Sequence, residues 1–157
     1  MKTIYLAAYH QSRFGKLGAA TVPEMLAAAV GGACGEIGCS AAQIDVATVA
    51  AACNFTLNRQ GLLGGLVASI PGLAGKPIEA VENACASGGQ AVLAVAQKLL
   101  LGIGEVGIAV GYEKMRGDDG KVDGARVGEV LGYFSHPDER AGKVYVVWHD
   151  CRFRSGC

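Results

Sequence analysis

The feature that most constrains this chain is the run from Pro77 to Leu101. A short β-compatible segment leads directly into Glu82-Asn83-Ala84-Cys85-Ala86-Ser87-Gly88-Gly89, then into an almost unbroken apolar stretch from Ala91 to Leu101, interrupted only by Gln97 and Lys98. Proline stands only at the strand entry, where its missing N–H is tolerated. A helix apolar on every side belongs in an interior. The small residues at 86–89 let its first turn press against neighbouring backbone. The run therefore predicts a buried strand, a sharp turn holding one cysteine, and a buried helix. A thiol at a helix start sits beside unpaired N–H groups and the positive end of the helix dipole. That setting favours the thiolate, which is the nucleophile. The same N–H groups can hold an oxyanion formed on thiolate attack at a carbonyl. Strand, nucleophile, helix is also the logic of the hydrolase elbow, with cysteine for serine. The competing reading of Cys85 is a small buried hydrophobe, as most free cysteines are. The residues alone leave the two open.

The rest of the chain fits an α/β frame. Thr3–Ala8 is expected as a first strand, followed by a loop at 14–18. Thr21-Val22-Pro23-Glu24 has capping-box spacing and opens a helix from Val22 to Ile37. Met25, Leu26, Ala29, Val30 and Ala33 form its apolar face, and Gly38 stops it. Ser40-Ala41-Ala42-Gln43 repeats the capping spacing over a short turn. Val46–Ala52 is apolar throughout, the pattern of a strand covered on both faces. Asn54–Asn58 is expected as a loop, Gln60–Ile70 as a helix weakened by Gly61, Gly64 and Gly65, and Val106–Val110 as a last buried strand. The order β-α-β-α-β-α-β implies a mainly parallel sheet with right-handed crossovers. One sheet cannot cover both sides of the helix after Cys85, so a second α/β layer is expected against it.

Composition excludes several classes. The 157 residues are 51% hydrophobic and 18% charged, which suits a packed domain and not a disordered chain. Lys+Arg and Asp+Glu both number 14, so no global charge draws it to nucleic acid or a membrane surface. No apolar run is long enough to span a bilayer, and the start is too short for a secretory signal. The six cysteines are scattered and do not form a small disulfide framework. Reduced thiols in a cytoplasmic setting are expected. Cys34, Cys39 and Cys53 read as core thiols. Gly102-x-Gly104-x-x-Gly107 follows a helix and precedes a strand, the reverse of a dinucleotide site, so it reads as a helix stop and turn.

From Asn83-Ala84-Cys85-Ala86-Ser87-Gly88, through the apolar helix, to Gly102-Ile103-Gly104-Glu105-Val106-Gly107-Ile108-Ala109-Val110-Gly111-Tyr112-Glu113-Lys114-Met115, the sequence resembles the nucleophile segment of thiolases. The likeness is to the branch that includes the sterol-carrier-protein-linked enzymes. It runs over about residues 1–115, and residues 81–115 are its most specific part. Related ketoacyl synthases share the cysteine turn, but the Glu-Lys-Met ending points to thiolases. The resemblance implies a thiolase-like N-terminal α/β core over 1–115, the start of a loop or cap region over 116–147, and an atypical tail over 148–157, disordered or out of frame. It implies an acyltransferase of lipid metabolism that moves acyl groups between acyl-CoA and coenzyme A through an acyl-enzyme on Cys85. No metal or redox cofactor is implied; acyl-CoA and coenzyme A enter as substrates. A homodimer or larger assembly, or a separate second-half chain, is the expected partner.

The resemblance also marks what is missing. The family's second cysteine, its activating histidine and its water-orienting asparagine belong to a half this sequence does not hold. The chain alone is therefore expected to be inactive: a frame-shifted truncation, or a natural half that binds a partner chain. The family's histidine sits in Gly-His-Pro. Here Ser135-His136-Pro137 comes too early and has serine for glycine, so that role is not transferred to His136. The region from Val122 to Lys143 reads as polar and irregular, with a short strand at 145–147. His149, Cys151 and Cys157 do not have zinc spacing. A redox-sensing thiol protein is a further alternative, to be distinguished by Cys85 reacting with peroxide but not with thioesters.

Overall fold

The computed structural model describes residues 2–15, 20–117 and 121–137. The elements are α1 (Val22–Ile37), a 3₁₀ turn (Ala41–Gln43), β1 (Val46–Ala50), α2 (Asn54–Asn58), α3 (Leu63–Ala68), β2 (Ile78–Val81), a 3₁₀ turn (Ala84–Ala86), α4 (Ser87–Leu100), β3 (Gly107–Gly111) and α5 (Gly124–Gly132). The three strands form one parallel sheet in the order β2-β1-β3. With β1 in the middle, the connection to β2 runs one way and the return to β3 runs the other. Right-handed crossovers then put α3 and α4 on opposite faces.

Central position explains β1. All five of its residues are buried. Ala47 and Val49 join Leu26, Val30, Val67, Leu73 and Val110 in a core shared with α1 and α3. Val46 faces the other way and packs with Val95 and Leu99 of α4. α1 begins as its sequence dictates: the Thr21 hydroxyl accepts the Glu24 N–H, and the Glu24 carboxylate accepts the Thr21 N–H at 2.7 Å. The bonds this carboxylate accepts from the Thr21 N–H and hydroxyl hold it below its ordinary range. The helix ends at Gly38, whose φ of 66° is left-handed. Leu26 and Val30 are fully buried on its inner face, each contributing about 2 kcal/mol by area removed from water.

Several expectations are corrected. Thr3–Ala8 forms no strand. Ile4 packs beside Val46, Val95 and Leu99, but Tyr5 and Leu6 stand exposed, so little apolar burial is gained by drawing the segment into the sheet. Among the described residues the sheet thus has three strands, not four. The flanking strands are not fully buried: β2 is mostly half-buried, and in β3 only Val110 is fully buried, because each is an edge among the described residues. Asn54–Asn58 is helical, not a loop, and closes at Arg59 with φ 54°. The next helix starts late, at Leu63, because Leu62 takes φ 48°. α5 lies inside the stretch read as irregular, with the Asp123 side chain accepting the Arg126 N–H at 3.0 Å as its cap. The expected strand at 145–147 and the tail at 148–157 lie outside the described residues.

α4 is covered on one side only. Ala91, Ala94, Val95 and Leu99 are buried against the sheet, while Val92 and Leu93 are each 51% exposed. The apolar sequence is as read; in this chain alone nothing covers its outer face among the described residues. On the inner face Lys98 pairs with Glu79 of β2 and donates to the buried Thr48 hydroxyl at 3.4 Å, while Thr48 donates to Glu79 at 3.2 Å. This polar bridge ties α4 to both strands. The glycines at 102, 104 and 107 serve the turn after α4. Gly102 has φ 75°, and a Cβ on Gly107 would stand 2.5 Å from the Val95 side chain. The Asp45 carboxylate holds the same turn, accepting the N–H groups of Glu105 (2.8 Å) and Val106 (3.0 Å), which lower its pKa.

Candidate active site

In a parallel sheet every strand ends on the same edge, and that edge is where α/β folds gather their chemistry. Three segments leave it here: Ala51–Cys53 after β1, Glu82–Cys85 after β2, and Tyr112–Met115 after β3. Two of them carry a cysteine, and the third carries the Glu113 carboxylate.

Cys85 lies where the sequence places it, in the 3₁₀ turn that joins β2 to α4. Its thiol is free and exposed, so the alternative of a small buried hydrophobe does not hold in this chain. The preceding residue, Ala84, has φ 44°. A left-handed conformation costs a residue with a Cβ about 1–2 kcal/mol, so the turn must be held by its surroundings. The holding contacts are visible. The Ala86 N–H donates to the Asn83 carbonyl at 2.8 Å. The Ser87 hydroxyl accepts the Asn83 N–H at 2.8 Å and donates to the Ala84 carbonyl at 2.7 Å. The Ala84 N–H donates to the Glu82 carboxylate. Among the described residues no carbonyl or side chain takes up the N–H of Cys85. An exposed sulfur with its own amide unclaimed can attack a carbonyl and donate to the oxyanion that results.

Cys53 is the site's second thiol and was legible only as core. It is 4% exposed and precedes α2. Its N–H donates to one Glu113 carboxylate oxygen at 3.0 Å, and the Ala52 N–H donates to the other at 2.9 Å. Burial first, then the Glu113 charge, pushes its thiol up to about 11. Cys85 and Glu82 are near enough to add to that push when ionised. Cys53 is therefore held as a protonated thiol near Cys85. Glu113, part of the Glu-Lys-Met ending, has a visible purpose that spacing did not reveal: its carboxylate pins the exit of β1 to the exit of β3. Close by, the Asn58 amide donates to the Lys114 carbonyl at 2.8 Å, while its own carbonyl oxygen is buried without a partner. Burial and the Glu113 charge also push the Tyr112 hydroxyl up.

Cys34 is buried and Cys39 half-buried at the end of α1, away from this edge, as core thiols. Burial, with the neighbouring Cys39 thiol, raises the pKa of Cys34. His136 is exposed beyond α5. His149, Cys151 and Cys157 lie outside the described residues. A cavity of about 320 Å³ opens between α2 and α5, lined by Leu57, Met115, Arg116, Lys121, Asp123 and Arg126. No described helix is long and apolar enough to cross a membrane.

No curated protein matches the chain. The family model described as thiolase, N-terminal domain, matches residues 6–144, nearly all of the sequence and the whole of the three-stranded sheet with its cysteine turn. The chain belongs to the thiolase family of transferases, of which it carries the N-terminal domain.

Proposed function

We propose that the chain carries the acyl-accepting step of a thiolase-type transfer between thioesters, with Cys85 as the nucleophile. One observation carries this reading: an exposed thiol on a strained turn at the carboxyl edge of the sheet, with its own N–H unclaimed. The Cys85 sulfur attacks the carbonyl carbon of an acyl-CoA. The carbonyl oxygen gathers negative charge and takes a hydrogen bond from the Cys85 N–H. The bond to the coenzyme A sulfur then breaks, and the acyl group stays on Cys85. Coenzyme A, or the α-carbon of a second acyl-CoA, is the acceptor that regenerates the thiol. No residue of this sequence is assigned to the family's activating histidine or second cysteine. A single acylation without turnover is therefore the expected behaviour of the chain alone.

The test is intact mass after incubation with acetyl-CoA or acetoacetyl-CoA, with Cys85→Ala as control. A gain the size of the donor's acyl group that requires Cys85 supports the reading; a folded chain that gains nothing overturns it for the isolated chain. The second reading, a thiolase-like half that is not itself an enzyme and binds a partner chain, is favoured by the bare outer face of α4, with Val92, Leu93 and Leu100 about half exposed. Patches of this kind mark association surfaces. A dimer or larger assembly is expected by light scattering, and a monodisperse monomer would count against it.

A further inference from the structure

We infer that Ser87 is the positioning residue that holds the Cys85 turn closed, acting on the thiol through backbone it grips on both sides of Ala84. The inference takes from the acyl-transfer reading only the purpose of the thiol; the grip itself is read from the turn. Ser87 and Thr48 are the two buried polar side chains among the described residues, and Ser87 is 5% exposed. A serine at a helix start commonly caps forward, accepting N–H groups of the first turn. Ser87 turns backward instead. Its oxygen accepts the Asn83 N–H (2.8 Å), and its proton goes to the Ala84 carbonyl (2.7 Å), which the Ser87 N–H also reaches. Residues 83–87 are thus closed by backbone and side chain together around the one residue of the turn at positive φ. Asn83 and Ala84 immediately precede Cys85, so their placement sets where the sulfur and its amide sit relative to the start of α4. The other ties on α4 lie far along the helix, at Lys98, and cannot fix this end.

Without the hydroxyl, the Asn83 N–H and the Ala84 carbonyl lose their shared partner and Ala84 is released toward right-handed conformations. The fold would survive, because the packing of Ala91, Val95 and Leu99 is untouched. The arrangement around the thiol would not.

The measurement is the rate at which Cys85 is alkylated by iodoacetamide, followed by peptide mapping on the full chain, beside the thermal midpoint. Ser87→Ala is expected to slow labelling about tenfold, as a loosened reactive group does. Ser87→Thr, which keeps the hydroxyl, is expected to label within about twofold of the unaltered chain. A purely structural serine would lower the midpoint and leave the rate unmoved. Ser87→Ala labelling as fast as the unaltered chain or faster, or Ser87→Thr labelling as slowly as Ser87→Ala, overturns the inference. If Ser87→Ala does not fold, hydrogen exchange of the Asn83 amide in the unaltered chain decides: protection supports the grip, and exchange at the rate of a free loop amide overturns it. Iodoacetamide needs no recognition of a thioester, so failure of acyl-CoA to modify the unaltered chain would defeat the proposed function and leave this test standing.

Discussion

Cys53 and Cys85 occupy matching places: each sits just past the carboxyl end of one of two neighbouring parallel strands and just ahead of a helix. They are opposites in chemistry. At Cys53 the chain ends its strand by giving two consecutive N–H groups to the Glu113 carboxylate, and the thiol is sealed from water beside that negative charge. At Cys85 the chain turns through a left-handed Ala84, a serine hydroxyl takes the backbone groups, and the thiol and its amide are both left open. Topology brings both cysteines to the carboxyl edge of the sheet. What separates them is burial: the β1 exit seals the Cys53 thiol against the Glu113 carboxylate, which repels a thiolate, whereas the Cys85 turn, held by the Ser87 hydroxyl and the Glu82 carboxylate, leaves its sulfur exposed.

The sharpest way to break the comparison is competitive labelling. In the folded chain at pH 8, iodoacetamide is expected to reach Cys85 on the order of 100-fold faster than Cys53, read by peptide mapping. With its thiol pushed up to about 11, Cys53 has roughly one thiolate in a thousand at that pH, and burial slows it further. Equal rates would mean that Cys53 is not sealed. Next in size is Glu113→Gln. The amide keeps one acceptor oxygen and turns its donors toward the other N–H, so a hydrogen bond to a charged group is lost and one donor is orphaned. A loss of about 2 kcal/mol is expected from urea unfolding. Removing the charge should also speed Cys53 labelling while Cys85 holds its rate. If stability is unchanged, the carboxylate is not what closes the β1 exit.

The comparison also marks how far the sequence was legible. The strand before Cys85, the turn and the helix after it could be read because each is dictated locally: β-compatible residues, then small ones, then an apolar run. The Thr21 and Glu24 capping box and the Gly38 stop were legible for the same reason. What could not be read depends on long-range partners. Thr3–Ala8 has the composition of a strand but buries little of its apolar surface. β2 and β3 look buried in sequence because most of their residues are apolar or small, yet among the described residues they are the edges of the sheet. The helical turns at α2 and α5 were hidden by asparagine and glycine, whose weak propensity was overridden by contacts such as Asn58 to Lys114 and Arg126 to the Thr56 carbonyl. At the site, Cys85 announced itself by its setting. The pairing of Glu113 with the β1 exit joins residues about 60 apart and leaves no local trace.

Two smaller effects sharpen the contrast. Ala84→Gly removes the Cβ that makes φ 44° costly but frees the unfolded chain, so the net gain expected is about 0.5–1 kcal/mol by urea unfolding. A loss would mean the turn at Cys85 is not strained. The last concerns alkaline pH and is carried by Cys53. Its thiol ionises near 9.0 when unfolded and near 11 when folded. Between those values the unfolded chain gives up the proton first and the folded chain keeps it. Stability therefore falls as pH rises through that window, and below it the group contributes no slope. The buried Tyr112 hydroxyl and the Cys34 thiol, both raised, bend the curve in the same direction. Cys53→Ala should therefore flatten the decline between pH 9 and 11 without abolishing it, read from urea midpoints at a series of pH values. If Cys53→Ala leaves the decline unchanged, burial behind Glu113 is not what sets the Cys53 exit apart.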